Sequence, residues 1–333
     1  MKWGLIGASN IAASSMIGAF RSFGSDQVVS VLSSNAERGR AYATEHGIAD
    51  AYADLDRMLA DPALDAVYIS TTNEKHFPQA MAAIRAGKHV LCEKPLAMNV
   101  ADAVAMVHAA REAGLVFATN HHLRNAGSHQ VIRDLVRAGR IGQVQSLRVF
   151  HAIYLRPQLQ GWRIDNPMAG GGVVADIAVH DADTVRFHLD ESPVDVVAMT
   201  AATGLGKGVE DNAMSIWRMP SGVQVFCHVS FTHPHAGSGL EIHGSDGSII
   251  ARNVMTQRPT GQVELRTKDG VEVVEFDPRN LYAHGVGMFR EAVAGRGRPA
   301  ADGEDGIRSL AVANAILAAG QTGQRMTVDY GGI

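Results

Sequence analysis

The chain has 333 residues and a formal net charge of −4, and its composition is 46% hydrophobic and 19% charged. This length and composition predict roughly two globular domains with sizeable cores. The sequence has no basic stripe that would favour nucleic acid and no apolar stretch long enough to span a bilayer.

The first third of the chain alternates short apolar runs with helix-like segments. We expect strands in KWGLIGA, VVSVLSS, AVYISTT, HVLCEK and VFATNHH, with helices over roughly residues 11–22, 36–46, 76–86 and 100–113. Strands that alternate with helices predict a parallel sheet covered by helices on both faces. We therefore expect an α/β class protein with a dinucleotide-binding Rossmann domain over residues 1–122.

The pattern changes after residue 140, where longer strand-like runs follow one another. They extend from SLRVFHAIYL to QVELRTKDG, and SDGS and KDGV have the composition of hairpin turns. Helices are expected over roughly residues 170–188 and 303–322. This predicts a substrate-binding α+β domain over residues 123–333, with a largely antiparallel open sheet. One face of that sheet could be free, so both a monomer and a homodimer remain open.

Cys92 and Cys227 each lie in an apolar, strand-like run. We therefore expect two buried free thiols, as is typical of a reducing compartment, rather than a disulfide. The N-terminus runs directly into a strand without a signal peptide, so we expect a cytoplasmic protein.

The first strand leads into the turn GLIGASNIAA. A dinucleotide site prefers G-x-G-x-x-G at a strand-to-helix turn, because backbone N–H groups and the helix N-terminus face the pyrophosphate. Gly7, Ser9 and Ala12 occupy the three positions, so only the first is glycine. Glycine-rich turns also occur without a ligand, but the position in the first turn of an α/β domain favours a cofactor.

The second strand ends at Ser33 and Ser34, and Arg38 follows one turn later. Sites that prefer NAD usually carry Asp or Glu here to hold the ribose hydroxyls. Two hydroxyls and a guanidinium suit a 2′-phosphate instead, which favours NADP(H). The alternative is that Arg38 is an ordinary solvated helix residue.

Two later strand ends also carry polar residues. STTNEKH places Thr71, Thr72 and Asn73 at the carboxyl edge of the sheet. His76 is expected at the start of the next helix, where it either contacts a ligand or is a helix-start residue with no ligand. In HVLCEKPLAM, Lys94 follows a buried strand and precedes a proline. Lys94 is either a solvated turn residue or a lysine positioned where open α/β sheets bind ligands.

A second group of polar residues lies in GWRIDNPMAGGGVVADIAVHDADTVRF. Asp176 and His180 are four residues apart and share a helix face, with Asp183 close to it. The pair can be a surface or capping pair, or an acid/base pair. We expect the second domain to bring them over the cofactor, where a carbonyl would receive a hydride. His180 would then donate a proton, and Lys94 would stabilise the developing alkoxide.

Other catalytic classes find less support. The 15 histidines show no zinc spacing such as H-E-x-x-H, so we expect no metal, and no Gly-x-Ser-x-Gly nucleophile turn is present.

GLIGAS, CEKPLA and GGGVVADIAVHDAD together resemble the glucose–fructose oxidoreductase and inositol dehydrogenase family over essentially the whole chain. The resemblance implies that Lys94, Asp176 and His180 are catalytic and that the Lys94–Pro95 peptide is cis, as in several members. It implies cofactor contacts from Gly7, Ser9, Asn10, Ile11, Ala12, Ser33, Ser34, Arg38, Thr71, Thr72, Asn73, Glu74, His76, Glu93, Lys94, Asn120, Trp162, Arg163 and, less firmly, Tyr282.

Two departures refine this resemblance. Most members carry glycine at the position of Ser9, and NAD users carry an acid at that of Ser33, so the chain is similar to the NADPH-dependent sugar-ketone reductases of the family. We expect a small sugar ketone as its partner, and neither nucleic acid nor a membrane. An NAD(P)-dependent sugar or inositol dehydrogenase, and a non-catalytic nucleotide-binding sensor of the same fold, are the alternatives.

Overall fold

A computed structural model describes all 333 residues. The first third of the chain forms a six-stranded parallel sheet in the order β3-β2-β1-β4-β5-β6, which confirms the predicted Rossmann sheet. The strands are β1 Lys2–Ile6, β2 Gln27–Leu32, β3 Asp50–Tyr52, β4 Ala66–Ile69, β5 His89–Cys92 and β6 Phe117–Thr119. The side chains of Trp3, Leu5 and Tyr68 are completely buried, as expected for a sheet that is covered on both faces.

Helices connect these parallel strands. They are a π-helical turn Ala12–Met16 that continues into α1 Ile17–Arg21, then α2 Ala36–His46, α3 Leu55–Leu59, α4 His76–Arg85 and α5 Val100–Glu112. The side chains of Asn35, Asp54 and Asn99 accept a backbone N–H in the first turn of α2, α3 and α5 and so cap them. The short elements β3 and α3 were not predicted, because each has too few residues to show a periodic pattern.

The second half of the chain forms a nine-stranded sheet in the order β14-β13-β12-β11-β7-β10-β9-β8-β15. Its strands are β7 Val144–Ala152, β8 Asp195–Ala201, β9 Asn212–Arg218, β10 Gln224–Ser230, β11 Ser238–Gly244, β12 Gly247–Arg252, β13 Gln262–Thr267, β14 Gly270–Val274 and β15 Met326–Thr327. All neighbouring pairs are antiparallel except β7 and β10, which run parallel. The prediction of a largely antiparallel sheet is therefore confirmed.

Further helices lie between residues 127 and 322. They are α6 Gly127–Arg137, α7 Trp162–Asp165, a π-helical turn Val174–Ala178 that continues into α8 Val179–Leu189, α9 Leu281–Val293 and α10 Gly303–Thr322. The helix predicted over residues 170–188 begins later than expected. Gly172 has a φ of 114°, a left-handed value that no helix accommodates. None of the helices is both long and apolar enough to cross a membrane.

The chain divides into two compact units, one of Met1–His121 with Tyr282–Ile307 and one of His122–Leu281 with Arg308–Ile333. We expected a single boundary near residue 122, but residues 282–307 return to the first unit instead of staying in the second. Helix α9 causes this return, because Phe289 packs against Trp3 with ring centroids 5.2 Å apart and Arg290 pairs with Asp26 at 3.1 Å.

The connection between β8 and β9 is built around one carboxylate. Asp211 is completely buried and accepts backbone N–H groups from Thr203, Gly204, Leu205 and Gly206 at 2.7–2.8 Å. Burial by itself would raise the pKa of Asp211, but these hydrogen bonds outweigh it and lower the pKa to about 2.

We predict that Asp211→Asn destabilises the protein at neutral pH but not in acid. Because its pKa is lowered, Asp211 stabilises the folded protein at pH values above the ordinary aspartate pKa of about 4. This stabilisation is lost as the pH falls towards 2. The free energy of unfolding at pH 7 should fall by about 2 kcal/mol, the range for hydrogen bonds to a charged group. Urea denaturation of wild type and variant between pH 2 and pH 7 measures this.

Asp269→Asn is the control, because Asp269 is exposed on the turn between β13 and β14 and pairs only with its neighbour Lys268 at 2.9 Å. A difference between Asp211→Asn and wild type that stayed constant across the acid range would contradict the account.

Candidate functional site

The turn after β1 brings the backbone of Gly7 close to the backbone of Ser70, which follows β4. Gly7 has a φ of 115°, and a Cβ placed there would lie 3.1 Å from the carbonyl carbon and oxygen of Ser70 and from Cγ2 of Thr71. No other residue fits without moving that neighbouring strand end. The first glycine position of the predicted motif is therefore a tight turn that leaves no room for a side chain.

Ser9 occupies the second glycine position of that motif. Its Oγ lies 2.7 Å from Oγ of Ser70 and accepts the N–H of Ala12 at 3.1 Å. The serine therefore caps the first helical turn and joins the ends of β1 and β4. Asn10 is exposed and Ile11 half-buried, whereas Ala12 is completely buried.

Arg38 reaches this turn from α2. Its guanidinium donates to the carbonyl oxygen of Ala8 at 2.6 Å. Ser33, also at the end of β2, is buried and donates its N–H to Tyr52, and Ser34 is exposed beside it. The structure thus brings the predicted serines and Arg38 to the edge of the sheet that carries the glycine turn.

Tyr42 is a neighbour of this group that we did not predict. It lies four residues after Arg38 on α2 and donates its hydroxyl to the carbonyl oxygen of Ser9 at 3.0 Å. Burial, reinforced by Glu45, raises the pKa of Tyr42 to about 12, so it remains a donor at neutral pH. Its spacing from Arg38 was the available signal.

The residues after β4 form a hydrogen-bonded turn. Thr71 donates to Oε1 of Gln79 at 2.7 Å, and Thr72 donates to Oε1 of Glu74 at 2.8 Å. Asn73 is buried in the same turn. These polar side chains lie together at the carboxyl edge of the sheet.

His76 joins this turn to the next strand end. Its Nδ1 donates to the carbonyl oxygen of Pro95 at 2.8 Å, and its Nε2 lies 3.3 Å from the carbonyl oxygen of Thr71. The side chain is completely buried, and burial lowers the pKa of His76 despite these hydrogen bonds. A neutral imidazole therefore holds the Lys94–Pro95 turn in place.

The turn after β5 is held by a network around Glu93. Its Oε1 accepts the Tyr68 hydroxyl at 2.5 Å and the Asn120 side-chain amide at 2.7 Å. Glu93 is therefore not simply a solvated charge at a strand end. Lys94 is half-buried, and the Lys94–Pro95 peptide is cis, as the family resemblance implied.

Tyr282 belongs to the same unit through the returning helix α9. It is buried, and burial together with the charge of Glu93 raises its pKa well above the ordinary value. The structure thereby associates Tyr282 with the Glu93 network, which sequence spacing could not show.

In the second unit, three of the predicted residues meet. Nε of Arg163 lies 3.4 Å from Oδ2 of Asp176, and the Arg163 guanidinium stacks over the Trp162 ring at 4.6 Å from its centroid. Asp176 lies in the π-helical turn Val174–Ala178 rather than in a regular α-helix. Such turns within helices are frequent at functional sites.

His180 follows in the first turn of α8. It is 8% exposed and meets the edge of the His122 ring, with centroids 4.8 Å apart. Asp183 forms a buried ion pair with Arg124, whose Nε donates to it at 3.0 Å. Asp183 therefore anchors α8, and His122 is a partner of His180 that was noted in the sequence only as one of many histidines.

No group of three or more His, Cys, Asp or Glu side chains is arranged to hold a metal ion. Lys94 belongs to the first unit, and Asp176 and His180 belong to the second.

Known proteins resemble the chain in both halves. A family model described as oxidoreductase family, NAD-binding Rossmann fold, matches residues 1–121, and a GFO/IDH/MocA C-terminal domain model matches residues 129–250.

Two relatives match nearly the whole length. The chain is 54% identical over 331 residues to the 1,5-anhydro-D-fructose reductase of Ensifer adhaerens, covering 99% of both chains. It is 30% identical to D-xylose 1-dehydrogenase (NADP(+)) 2 of Haloferax volcanii, over 99% of this chain and 100% of the relative.

Solved structures share the architecture. The aldose-aldose oxidoreductase of Caulobacter crescentus superimposes with a TM-score of 0.89 at 25% identity, covering 98% of this chain and 99% of that one. A levoglucosan dehydrogenase, solved with NADH and levoglucosan, has a TM-score of 0.88 at 22% identity over 98% of this chain and 99% of its own, and shows the fold alone. From its sequence and both halves of its fold, the chain belongs to the GFO/IDH/MocA family of oxidoreductases, with an NAD(P)-binding Rossmann domain.

Proposed function

We propose that this protein is an NADPH-dependent reductase that converts the C2 ketone of 1,5-anhydro-D-fructose into 1,5-anhydro-D-mannitol. The observation that carries the proposal is the 54% identity to a 1,5-anhydro-D-fructose reductase over 99% of both chains. Fold alone would not distinguish it from other sugar oxidoreductases.

The first unit fits a dinucleotide. At Gly7 a Cβ would meet Ser70 and Thr71 at 3.1 Å, so the absence of a side chain keeps the turn tight while its backbone remains available to a pyrophosphate. When bound, NADPH supplies the hydride for the reduction. The residues of the first unit that we propose to hold it are Gly7, Ser9, Asn10, Ile11, Ala12, Ser33, Ser34, Arg38, Thr71, Thr72, Asn73, Glu74, His76, Glu93, Lys94, Asn120 and Tyr282, and the family resemblance adds Trp162 and Arg163 of the second unit.

A preference for NADPH is supported by the end of β2. Ser33 and Ser34 occupy the position where an NAD-preferring site carries an acid, and Arg38 lies at the neighbouring turn through its 2.6 Å hydrogen bond to Ala8. A guanidinium can exchange this neutral acceptor for a 2′-phosphate, which binds it more strongly.

Lys94 is the residue that we propose to stabilise the developing alkoxide. The Glu93 network on one side and the His76–Pro95 hydrogen bond of 2.8 Å on the other hold its turn. A lysine positioned in this way places positive charge where negative charge develops, with little reorganisation during the reaction.

His180 is the proposed proton donor. Reduction of a ketone requires one proton for each hydride, and an imidazolium is a suitable donor near neutral pH. Asp176, held by Arg163 at 3.4 Å, is proposed to orient the substrate or the imidazole.

A second candidate function is oxidation of an aldose by the same residues in reverse. The 30% identity to an NADP(+)-dependent D-xylose dehydrogenase over 99% of this chain supports it. In that direction His180 would accept the proton that it donates during reduction.

We predict that the protein oxidises NADPH much faster than NADH when 1,5-anhydro-D-fructose is supplied, and that Arg38→Ala narrows the difference. Loss of a charge-assisted contact to phosphate should raise KM for NADPH by about 10–100-fold, corresponding to 1.5–3 kcal/mol. Steady-state absorbance assays with both reduced cofactors measure both KM values.

Arg40→Ala is the matched control, since Arg40 is exposed on the same helix two residues later. An equal rise in KM for NADPH and NADH in the Arg38 variant would remove the assignment of this residue to the 2′-phosphate. Faster oxidation of D-xylose than reduction of anhydrofructose would favour the second candidate function.

We predict that Lys94→Ala lowers kcat by about 10²–10³ and leaves NADPH binding largely intact, because removal of one electrostatic stabiliser has effects of this size. Fluorescence titration with NADPH measures binding separately from turnover. Lys268→Ala, on an exposed turn of the second unit, should keep wild-type kcat. A Lys94 variant with near-normal turnover would show that the lysine is only a turn residue.

We predict that ketone reduction weakens at alkaline pH, because the reaction needs the proton that His180 is proposed to donate. His180→Ala should lower kcat by about 10²–10⁴ and flatten this alkaline limb. The measurement is kcat against pH at saturating NADPH, with His108→Ala, an exposed histidine of α5, as the control. An unchanged alkaline limb in the His180 variant would mean that the proton comes from another group.

A further inference from the structure

Two of the three glycines before the helix that carries Asp176 and His180 are points of close packing. A Cβ at Gly171 would lie 2.6 Å from the carbonyl oxygen of Trp162. A Cβ at Gly172 would lie 2.3 Å from Oε1 of Glu210. Gly171 and Gly172 therefore admit two close neighbours, α7 and Glu210.

Glu210 makes two hydrogen bonds to the start of this helix. Its main-chain carbonyl oxygen accepts the N–H of Val173 at 3.0 Å, and its Oε1 accepts the N–H of Val174 at 3.0 Å. The first N–H groups of a helix have no partner within the helix, and a carboxylate there is also favoured by the helix dipole. One residue therefore holds two consecutive residues at the position where the helix begins.

The segment fixed in this way leads directly to the proposed catalytic residues. Asp176 is two residues after Val174 and donates its own N–H to the carbonyl oxygen of Gly172 at 3.2 Å. His180 follows in the first turn of α8. A rotation or shift of the first turn would therefore move Asp176 and change the direction in which His180 points.

The loop that carries Glu210 is itself held firmly. Asp211, the next residue, accepts four backbone N–H groups of residues 203–206. The N–H of Lys207 in the same loop donates to the carbonyl oxygen of Ile164 in α7 at 2.7 Å. The loop thus contacts both the segment with Trp162 and Arg163 and the segment with Asp176.

The surroundings of Glu210 disfavour a charged carboxylate, because they remove it from water. Burial raises the pKa of Glu210, although the Val174 N–H partly compensates. A carboxylate retained in such surroundings needs its hydrogen-bond donors, because an unsatisfied buried charge is strongly destabilising.

We propose that Glu210 is a positioning residue of the reductase, which sets the first turn of the Asp176–His180 helix through its contacts with Val173 and Val174 and its fit against Gly172. This inference rests on the proposed function, because it assigns to Glu210 an effect on the reaction that Asp176 and His180 carry out. Glu210 does not touch the substrate in this account, and it acts through the helix.

The test compares Glu210→Ala with Glu210→Gln. Alanine removes the side-chain acceptor, and kcat should fall by about 10–100-fold, because small displacements of reacting groups have effects of this order. Glutamine keeps an oxygen in the same place and should restore most of kcat. KM for NADPH should stay unchanged in both variants. Asp195→Asn is the control for general destabilisation of the same unit, because Asp195 is paired with Arg218 on β8 and β9.

A second measurement is independent of activity. Hydrogen–deuterium exchange of the peptide that contains Val173 and Val174 should become faster in Glu210→Ala and remain close to wild type in Glu210→Gln and Asp195→Asn. Unchanged exchange in the alanine variant would overturn the inference, and so would a kcat equal to that of wild type.

Different results would overturn the proposed function and the positioning role of Glu210. If wild type does not reduce 1,5-anhydro-D-fructose with NADPH, the proposed function fails, and the exchange experiment still decides whether Glu210 holds the turn. If wild type is active and His180→Ala is impaired while Glu210→Ala is normal, only the role of Glu210 is overturned. An equal loss of kcat in the glutamine and alanine variants would also overturn it, because the retained oxygen would then have no effect.

Discussion

The carboxyl ends of parallel strands meet at one edge of a sheet, and the first unit depends on this constraint. Hydrogen bonds between neighbouring strand ends turn that edge into a single surface. Oγ of Ser9 lies 2.7 Å from Oγ of Ser70, which joins the ends of β1 and β4. The bond from His76 to the Pro95 carbonyl joins the ends of β4 and β5 at 2.8 Å. Asn120 then joins β5 to β6 through Glu93 at 2.7 Å.

This continuity explains why the strand-end turns carry so many polar groups without being merely solvated. Ser9, His76 and Asn120 each bond to a neighbouring turn, and so these turns limit one another's movement. A preorganised set of donors and acceptors of this kind loses little conformational entropy when a ligand binds. Lys94 lies between two members of this set, Glu93 and the Pro95 carbonyl that accepts from His76.

In the second unit, the polar residues of the candidate site lie on a helix instead of at strand ends. Its helix with Asp176 and His180 is positioned by polar contacts to elements distant in sequence, namely Glu210 at its beginning and Arg124 through the ion pair with Asp183. Gly172 makes the first contact possible, because any side chain there would overlap the Glu210 carboxylate. The position of this helix therefore depends on polar contacts as well as on apolar packing.

Much of the first unit could be predicted from the sequence, because its signals are local. The glycine turn, the serines after β2 and the charged residues after β5 each lie next to an apolar run that marks a strand. The antiparallel character of the second sheet was also predictable from its strand lengths and turn residues.

The rest depended on contacts between residues that are far apart in the chain. Nothing near Arg38 shows that it reaches the carbonyl of Ala8, 30 residues earlier, and Glu210 is 36 residues from Val174. The return of α9 to the first unit was missed, because its packing partners Trp3 and Asp26 lie at the other end of the chain. The predicted helix over residues 170–188 also begins late and contains a π-helical turn, neither of which its apolar periodicity indicated.

The central claim is that hydride passes from NADPH to C2 of 1,5-anhydro-D-fructose, and isotope transfer tests it most directly. The protein would be incubated with the sugar and with NADPH carrying deuterium at one or the other prochiral position of nicotinamide C4, and the product analysed by NMR. The account predicts that one of the two labelled cofactors, and only one, transfers deuterium to C2 of 1,5-anhydro-D-mannitol. A product without deuterium at C2, or with deuterium at another carbon, would contradict it.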